Sequence, residues 1–255
     1  MRAFRVPSRR RPAWVLPVIA LGIAAVLGAA LWRPWTAAAT PESVAAAGAG
    51  GVVAAASPEP LDLPENPTVL IVGDSWTYGS AASDPSLGYA YVVGALAGWT
   101  TVVDGVRGSG YLKPGLDGPD FGTRIAALDP ALEPDLVIVQ GSINDRREGA
   151  GGYRAAVDAA WNALARVYPR AQVVILGPAP QVLPVEAATA RIDGDLRDAA
   201  AARGWWYVSP LAEEWITTEN YAAVIDTGAG RDHPSTAGHR YLAERLAAAV
   251  ASLAR

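Results

Sequence analysis

The chain has 255 residues, 51% of them hydrophobic and 18% charged, enough apolar material for a substantial core without requiring two domains. The formal net charge of −4 hides an asymmetry: residues 1–40 hold six arginines and no acid, so the remaining 15 basic residues face 25 acids and residues 41–255 carry about −10. An acidic body repels phosphate backbones and argues against a nucleic-acid partner, and the absence of cysteine excludes a disulfide framework, thiolate metal sites, a cysteine nucleophile and a lipid anchor on cysteine.

In chain order, the first feature is Arg2, Arg5, Arg9, Arg10 and Arg11 ahead of an uncharged stretch from Pro12 to Trp32. That stretch is nearer the length of a spanning helix, about 20 residues, than the shorter core of a cleaved signal. Trp14, Trp32 and Trp35 flank it as aromatic residues do at bilayer interfaces, and the arginines favour a cytoplasmic N-terminus. The expectation is a single-pass anchor over residues 1–35 that places the rest of the chain outside the cytoplasm, at the cell membrane. The competing reading is secretion after cleavage near Ala37-Ala38-Ala39. Residues 36–65, rich in Ala, Gly, Pro and Ser, read as a flexible linker, and residues 66–255 as the folded domain.

Within that domain five short β-branched runs predict strands: Thr68–Val72, Thr101–Val103, Asp135–Val139, Gln172–Leu176 and Trp205–Val208. Most are continuously apolar, as strands covered on both faces are. Helical patterns separate them at Tyr153–Val167, Val185–Arg203 and Thr236–Leu253, the last with Leu242, Leu246, Val250 and Leu253 on one face. This alternation predicts an α/β fold with a parallel sheet between helices, whose chemistry gathers at the carboxyl ends of the strands.

The residues after the strands therefore matter most. Gly73-Asp74-Ser75 follows the first strand and places a serine where a nucleophile can be exposed, although the tripeptide alone also suits an ordinary turn. Gly105 to Tyr111 follows the second, with glycines that let a backbone N–H approach a reacting oxygen and that equally suit an ordinary loop. Gln140 to Asp145 follows the third; Asn144 can offer an amide N–H to an oxyanion and Asp145 can fix the turn. Both histidines lie near the C-terminus. His233 precedes the last helix as a candidate general base, whereas His239 falls inside the helix and reads as a structural or surface residue. Trp76, Tyr78 and Tyr111 read either as pocket lining or as core.

Together these blocks resemble the SGNH (GDSL-type) hydrolase family over nearly all of residues 66–255. The resemblance rests on Gly73-Asp74-Ser75, Gly108, Asn144-Asp145 and His233-Pro234, in that order. It implies a three-layer αβα flavodoxin-like sandwich with a five-stranded parallel sheet. It also implies a serine esterase for acyl or acetyl esters, with Ser75 as nucleophile and His233 as base. The Ser75 N–H, the Gly108 N–H and the Asn144 side chain would form the oxyanion hole. Two departures stand out. The third block has Ser142 two residues before Asn144, with Gly141 one position earlier, where the family has glycine at the first of these. The family's acid sits three residues before the histidine, at the position of Gly230 here. Asp232 is taken as the orienting acid, with Asp226 or a backbone carbonyl as alternatives. No metal or organic cofactor is expected, and the substrate would be a small-molecule or glycan ester. Transfer of the acyl group to an envelope glycan, or a non-catalytic envelope-binding module, are the competing readings.

Overall fold

The structure, a computed structural model, describes residues 58–254. The expected anchor and most of the expected linker lie outside the described residues. Among the described residues no helix is long and apolar enough to cross a membrane.

Strands β1 (Thr68–Gly73), β2 (Thr100–Gly105), β3 (Leu136–Gln140), β4 (Gln172–Leu176) and β5 (Trp206–Val208) form one parallel sheet in the order β2-β1-β3-β4-β5. Seven helices accompany it: α1 (Ser75–Tyr78), α2 (Tyr89–Ala97), α3 (Phe121–Ala126), α4 (Tyr153–Val167), α5 (Ala187–Ala201), α6 (Tyr221–Val224) and α7 (Thr236–Leu253). The alternation of side chains along the strands divides the core in two. Val69, Ile71, Leu136 and Ile138 pack with Tyr89 and Val93 of α2 and with Leu242 and Leu246 of α7. Leu70, Val72, Val137 and Val139 face the other way, onto α3, α4 and α5 through Ile125, Trp161 and Leu196. Both faces of the inner strands are buried, so those runs carry no polar alternation. The result is the three-layer αβα sandwich that the resemblance implied.

The domain begins before residue 66, where the linker was expected to end. Leu61 is buried in the core, its N–H donates to the Leu253 carbonyl at 2.9 Å, and Gln172 exchanges hydrogen bonds with the Asp62 backbone. The small-residue composition of 36–65 obscures two leucines, Leu61 and the half-buried Leu63, whose apolar area is best hidden against the sheet.

A second, minimal pair positions the C-terminal loop. Here β6 (Ile225–Asp226) runs antiparallel to β7 (His233–Pro234), with Asp226 opposite His233. It closes the 227–232 turn just ahead of α7, whose first turn is capped by Ser235 accepting from the Gly238 N–H at 3.0 Å. Strand order reverses around β1, and the crevice at such a switch point opens beyond the strands' carboxyl ends.

Candidate active site

Ser75 is the first residue of α1, immediately after β1. Asp74 caps this single turn by accepting from the Trp76 N–H at 2.9 Å, and Gly79 closes it in the left-handed conformation. A residue at the first position of a helix has a backbone N–H with no intrahelical acceptor. Among the described residues no acceptor takes the Ser75 N–H, and Ser75 lines the cleft.

The turn between β6 and β7 brings His233 to this serine. Its Nε2 lies 2.8 Å from Ser75 Oγ, across 158 positions of sequence. On the other side of the ring, Nδ1 lies 2.9 Å from the Gly230 carbonyl and 3.0 Å from the Arg231 carbonyl. Both are acceptors only, so Nδ1 carries the proton and Nε2 is free to accept one from Ser75. The backbone that arranges this is unusual: Arg231 and Asp232 both have left-handed φ, +50° and +60°. Consecutive non-glycine residues in that region mark a tightly constrained turn, here fixed by the Asp232 N–H donating to the Asp226 carbonyl at 2.9 Å.

Asp232 therefore does not stand where an orienting acid was expected. Its carboxylate makes no hydrogen bond to the imidazole, whose Nδ1 faces the Gly230 and Arg231 carbonyls instead. Burial raises the Tyr221 phenol above its ordinary pKa, with a lesser contribution from the Asp232 charge. Asp226, the alternative, accepts from the Gly228 N–H at 2.9 Å and likewise makes no hydrogen bond to His233. Gly230 contributes its carbonyl at the position where the family keeps the acid.

Gly108, after β2, has φ +75°, and no acceptor among the described residues takes its N–H. Asn144, in the 3-10 turn Ile143–Arg147 after β3, donates one amide hydrogen to the Ser109 carbonyl at 2.9 Å and keeps the second uncommitted. Ser75, Gly108, Asn144 and His233 line one open cleft of about 560 Å³. Tyr78 lines it too, whereas Trp76 and Tyr111 are core residues.

A buried polar cluster outside the cleft lining holds the site's loops. Asp145 accepts from the Tyr111 N–H at 2.7 Å, the Leu112 N–H at 3.1 Å and the Ser142 hydroxyl, and so ties the β2 and β3 loops together. Burial nevertheless raises its pKa. Only a glycine at 110 leaves room for this carboxylate, since a Cβ there would collide with it. The shifted glycine of the third block is also explained. Gly141 needs φ +118°, whereas Ser142 has φ −122°, which any residue adopts, and spends its hydroxyl on Asp145. Asp74 is fully buried, with Oδ2 unpartnered, and burial pushes its pKa up to about 7 against the Trp76 N–H and the Arg124 charge.

One feature left no mark in the sequence. Arg124 of α3 is buried and binds the Asp104 carboxylate at 2.7 Å and the Gly73 carbonyl at 2.8 Å, clamping the ends of β1 and β2. His239, expected as structural or surface, is fully buried. Its Nδ1 accepts from the Tyr89 N–H at 3.2 Å and its Nε2 donates to the Ser80 carbonyl at 2.9 Å. It caps α2, which has no side-chain cap of its own, and burial lowers its pKa to about 4.

The GDSL-like lipase/acylhydrolase family matches residues 71–241, a span that holds all four site residues. The GDSL lipase Rv0518 of Mycobacterium tuberculosis is 29% identical over 201 residues, covering 74% of this chain and 84% of the relative. Solved structures share the fold at lower identity. A G-D-S-L family protein from Desulfitobacterium hafniense superposes with a TM-score of 0.59 at 17% identity, covering 72% of this chain and 99% of that one. A family two carbohydrate esterase from Clostridium thermocellum superposes with a TM-score of 0.55 at 19% identity, covering 77% and 66%. The chain belongs to the GDSL-like lipase/acylhydrolase family and is an ester-hydrolysing enzyme.

Proposed function

We propose that the protein is a serine esterase that cleaves acyl or acetyl esters of small molecules or glycans through an acyl-enzyme on Ser75. The 2.8 Å contact between Ser75 Oγ and His233 Nε2, with Nδ1 held by two carbonyls, carries this reading. His233 takes the hydroxyl proton as Ser75 attacks the ester carbonyl. The Ser75 and Gly108 N–H groups and the free Asn144 hydrogen receive the oxyanion. The proton passes from Nε2 to the departing alcohol. Water then attacks the acyl-enzyme, giving its proton to Nε2, and collapse of the second tetrahedral intermediate returns that proton to Ser75 and frees the acid. The Gly230 and Arg231 carbonyls fix the tautomer and accept from Nδ1–H throughout, in place of a carboxylate. The arginine-led apolar segment of residues 1–35 supports a place at the cell membrane with the catalytic domain outside the cytoplasm, or secretion if it is removed.

The test is hydrolysis of p-nitrophenyl acetate and longer acyl esters by Ser75→Ala and His233→Ala, with folding checked by circular dichroism. Each variant should lose at least about 10³-fold in kcat/KM. A folded Ser75→Ala enzyme with near wild-type turnover would overturn the assignment.

A further inference from the structure

The charge around the cleft runs against the charge of the molecule. Residues 41–255 carry about −10, yet Arg107, Arg146, Arg147 and Arg231 line the cleft with Ser75 and His233, and no acid does. Three of the four loops that carry the site bring at least one, the Ser75 loop being the exception. Arg107 precedes Gly108, Arg146 and Arg147 follow Asn144, and Arg231 sits two residues before His233.

Two of the four are neutralised. Arg107 is paired with Asp117 at 2.6 Å and lies over the Tyr78 ring, and Arg146 is paired with Glu186 at 2.6 Å. Arg147 and Arg231 are exposed and have no ion pair among the described residues. Asp226 and Asp232 share the turn with Arg231, but neither lines the cleft. An acidic protein has acids to spare for exposed arginines, so two unpaired cations flanking one nucleophile form a local positive field. A concave site with low-dielectric walls focuses such a field and concentrates ligands of the opposite sign.

We propose that the cleft selects esters that carry a negative charge, a carboxylate, sulfonate or phosphate on the acyl or the alcohol portion, with Arg147 and Arg231 as specificity-determining residues. This rests on Ser75 being the nucleophile of this same cleft. Arginine suits the role because its guanidinium keeps its charge at any working pH and binds two oxygens of such a group at once.

The experiment compares matched chromogenic esters at low ionic strength. On the acyl side these are the p-nitrophenyl esters of glutarate, valerate and 4-trimethylammoniobutyrate. On the alcohol side they are acetyl esters of a phenol bearing sulfonate or neutral sulfonamide. Enzymatic rates are corrected for each ester's spontaneous hydrolysis, and the two arms show which portion carries the recognised charge. The expected order of kcat/KM is anionic, neutral, cationic, with the anionic-to-cationic ratio at least about tenfold and falling in high salt. Arg147→Glu should reduce that ratio at least about threefold, whereas Arg166→Glu, the same charge change on an exposed arginine outside the cleft, should leave it unaltered. Equal kcat/KM for the charged and neutral esters in both arms, or equal anionic-to-cationic ratios in the two variants, overturns the inference while Ser75-dependent turnover of the neutral ester leaves the esterase reading standing. Neutral-ester turnover that survives Ser75→Ala removes both.

Discussion

Replacing Asp74 by asparagine should change how stability depends on pH, and the size of the change follows from burial. The Asp74 carboxyl has an ordinary value near 3.8 and is pushed up to about 7 in the fold. Between those two pH values the folded state holds a proton that the unfolded chain has released, so stability falls as pH rises. At about 1.4 kcal/mol per pH unit the loss sums to about 4 kcal/mol by pH 7. His239 works in the opposite sense. Its folded value near 4 lies below the ordinary 6.5, so the unfolded chain binds the extra proton and stability rises with pH across that interval. That gain is about 3 kcal/mol and is common to the variant and the wild type. Asparagine keeps the acceptor for the Trp76 N–H and has no proton to lose. Urea unfolding of Asp74→Asn and of the wild type across pH 4–8 should therefore give stability profiles that diverge as pH rises. The difference between variant and wild type should grow by about 4 kcal/mol from pH 4 to 7 and then level off. Parallel pH profiles for the two proteins would refute the reasoning.

Asn144→Ala removes one of the three proposed oxyanion donors and should lower kcat by about 10²–10³-fold with little change in KM, read by steady-state ester hydrolysis. Asp232→Asn and Asp226→Asn should each keep kcat within about threefold of wild type, because His233 Nδ1 is satisfied by carbonyls; a loss of about 10²-fold in either would restore an acid to the mechanism. Arg124→Leu leaves the Asp104 carboxylate and the Gly73 carbonyl without their buried partner and should cost about 3 kcal/mol in denaturant unfolding.

How much of this is legible in the sequence depends on how local the cause is. The strands at 68–72 and 172–176 and the helices at Tyr153–Val167 and Thr236–Leu253 can be read within a residue or so, because burial on both faces or on one stripe writes itself into the order of apolar residues. Helix α5 is shorter than its apolar pattern, starting at Ala187 rather than Val185. Helix α2 leaves almost no signal. It contains Gly94, begins after Gly88 with no capping side chain, and takes the acceptor for its first N–H from His239, 150 residues away. Ser75, Gly108, Asn144 and His233 are legible because each must follow a particular strand or precede a particular helix. The group that orients His233 is not. A carbonyl belongs to every residue, and what makes two of them converge is the left-handed backbone at Arg231 and Asp232, residue types that do not announce it. Arg124 and the arginines of the cleft are hidden for a related reason, since their role comes from loops that meet only once the sheet has formed.

The covalent intermediate is the most direct test of the account. Acid-quenching the enzyme during turnover of p-nitrophenyl acetate and mapping the acyl group by peptide mass spectrometry should place an acetyl group on Ser75, accumulating in the presteady-state phase. Full turnover with no acyl group on Ser75, or with the adduct on another residue, would contradict it.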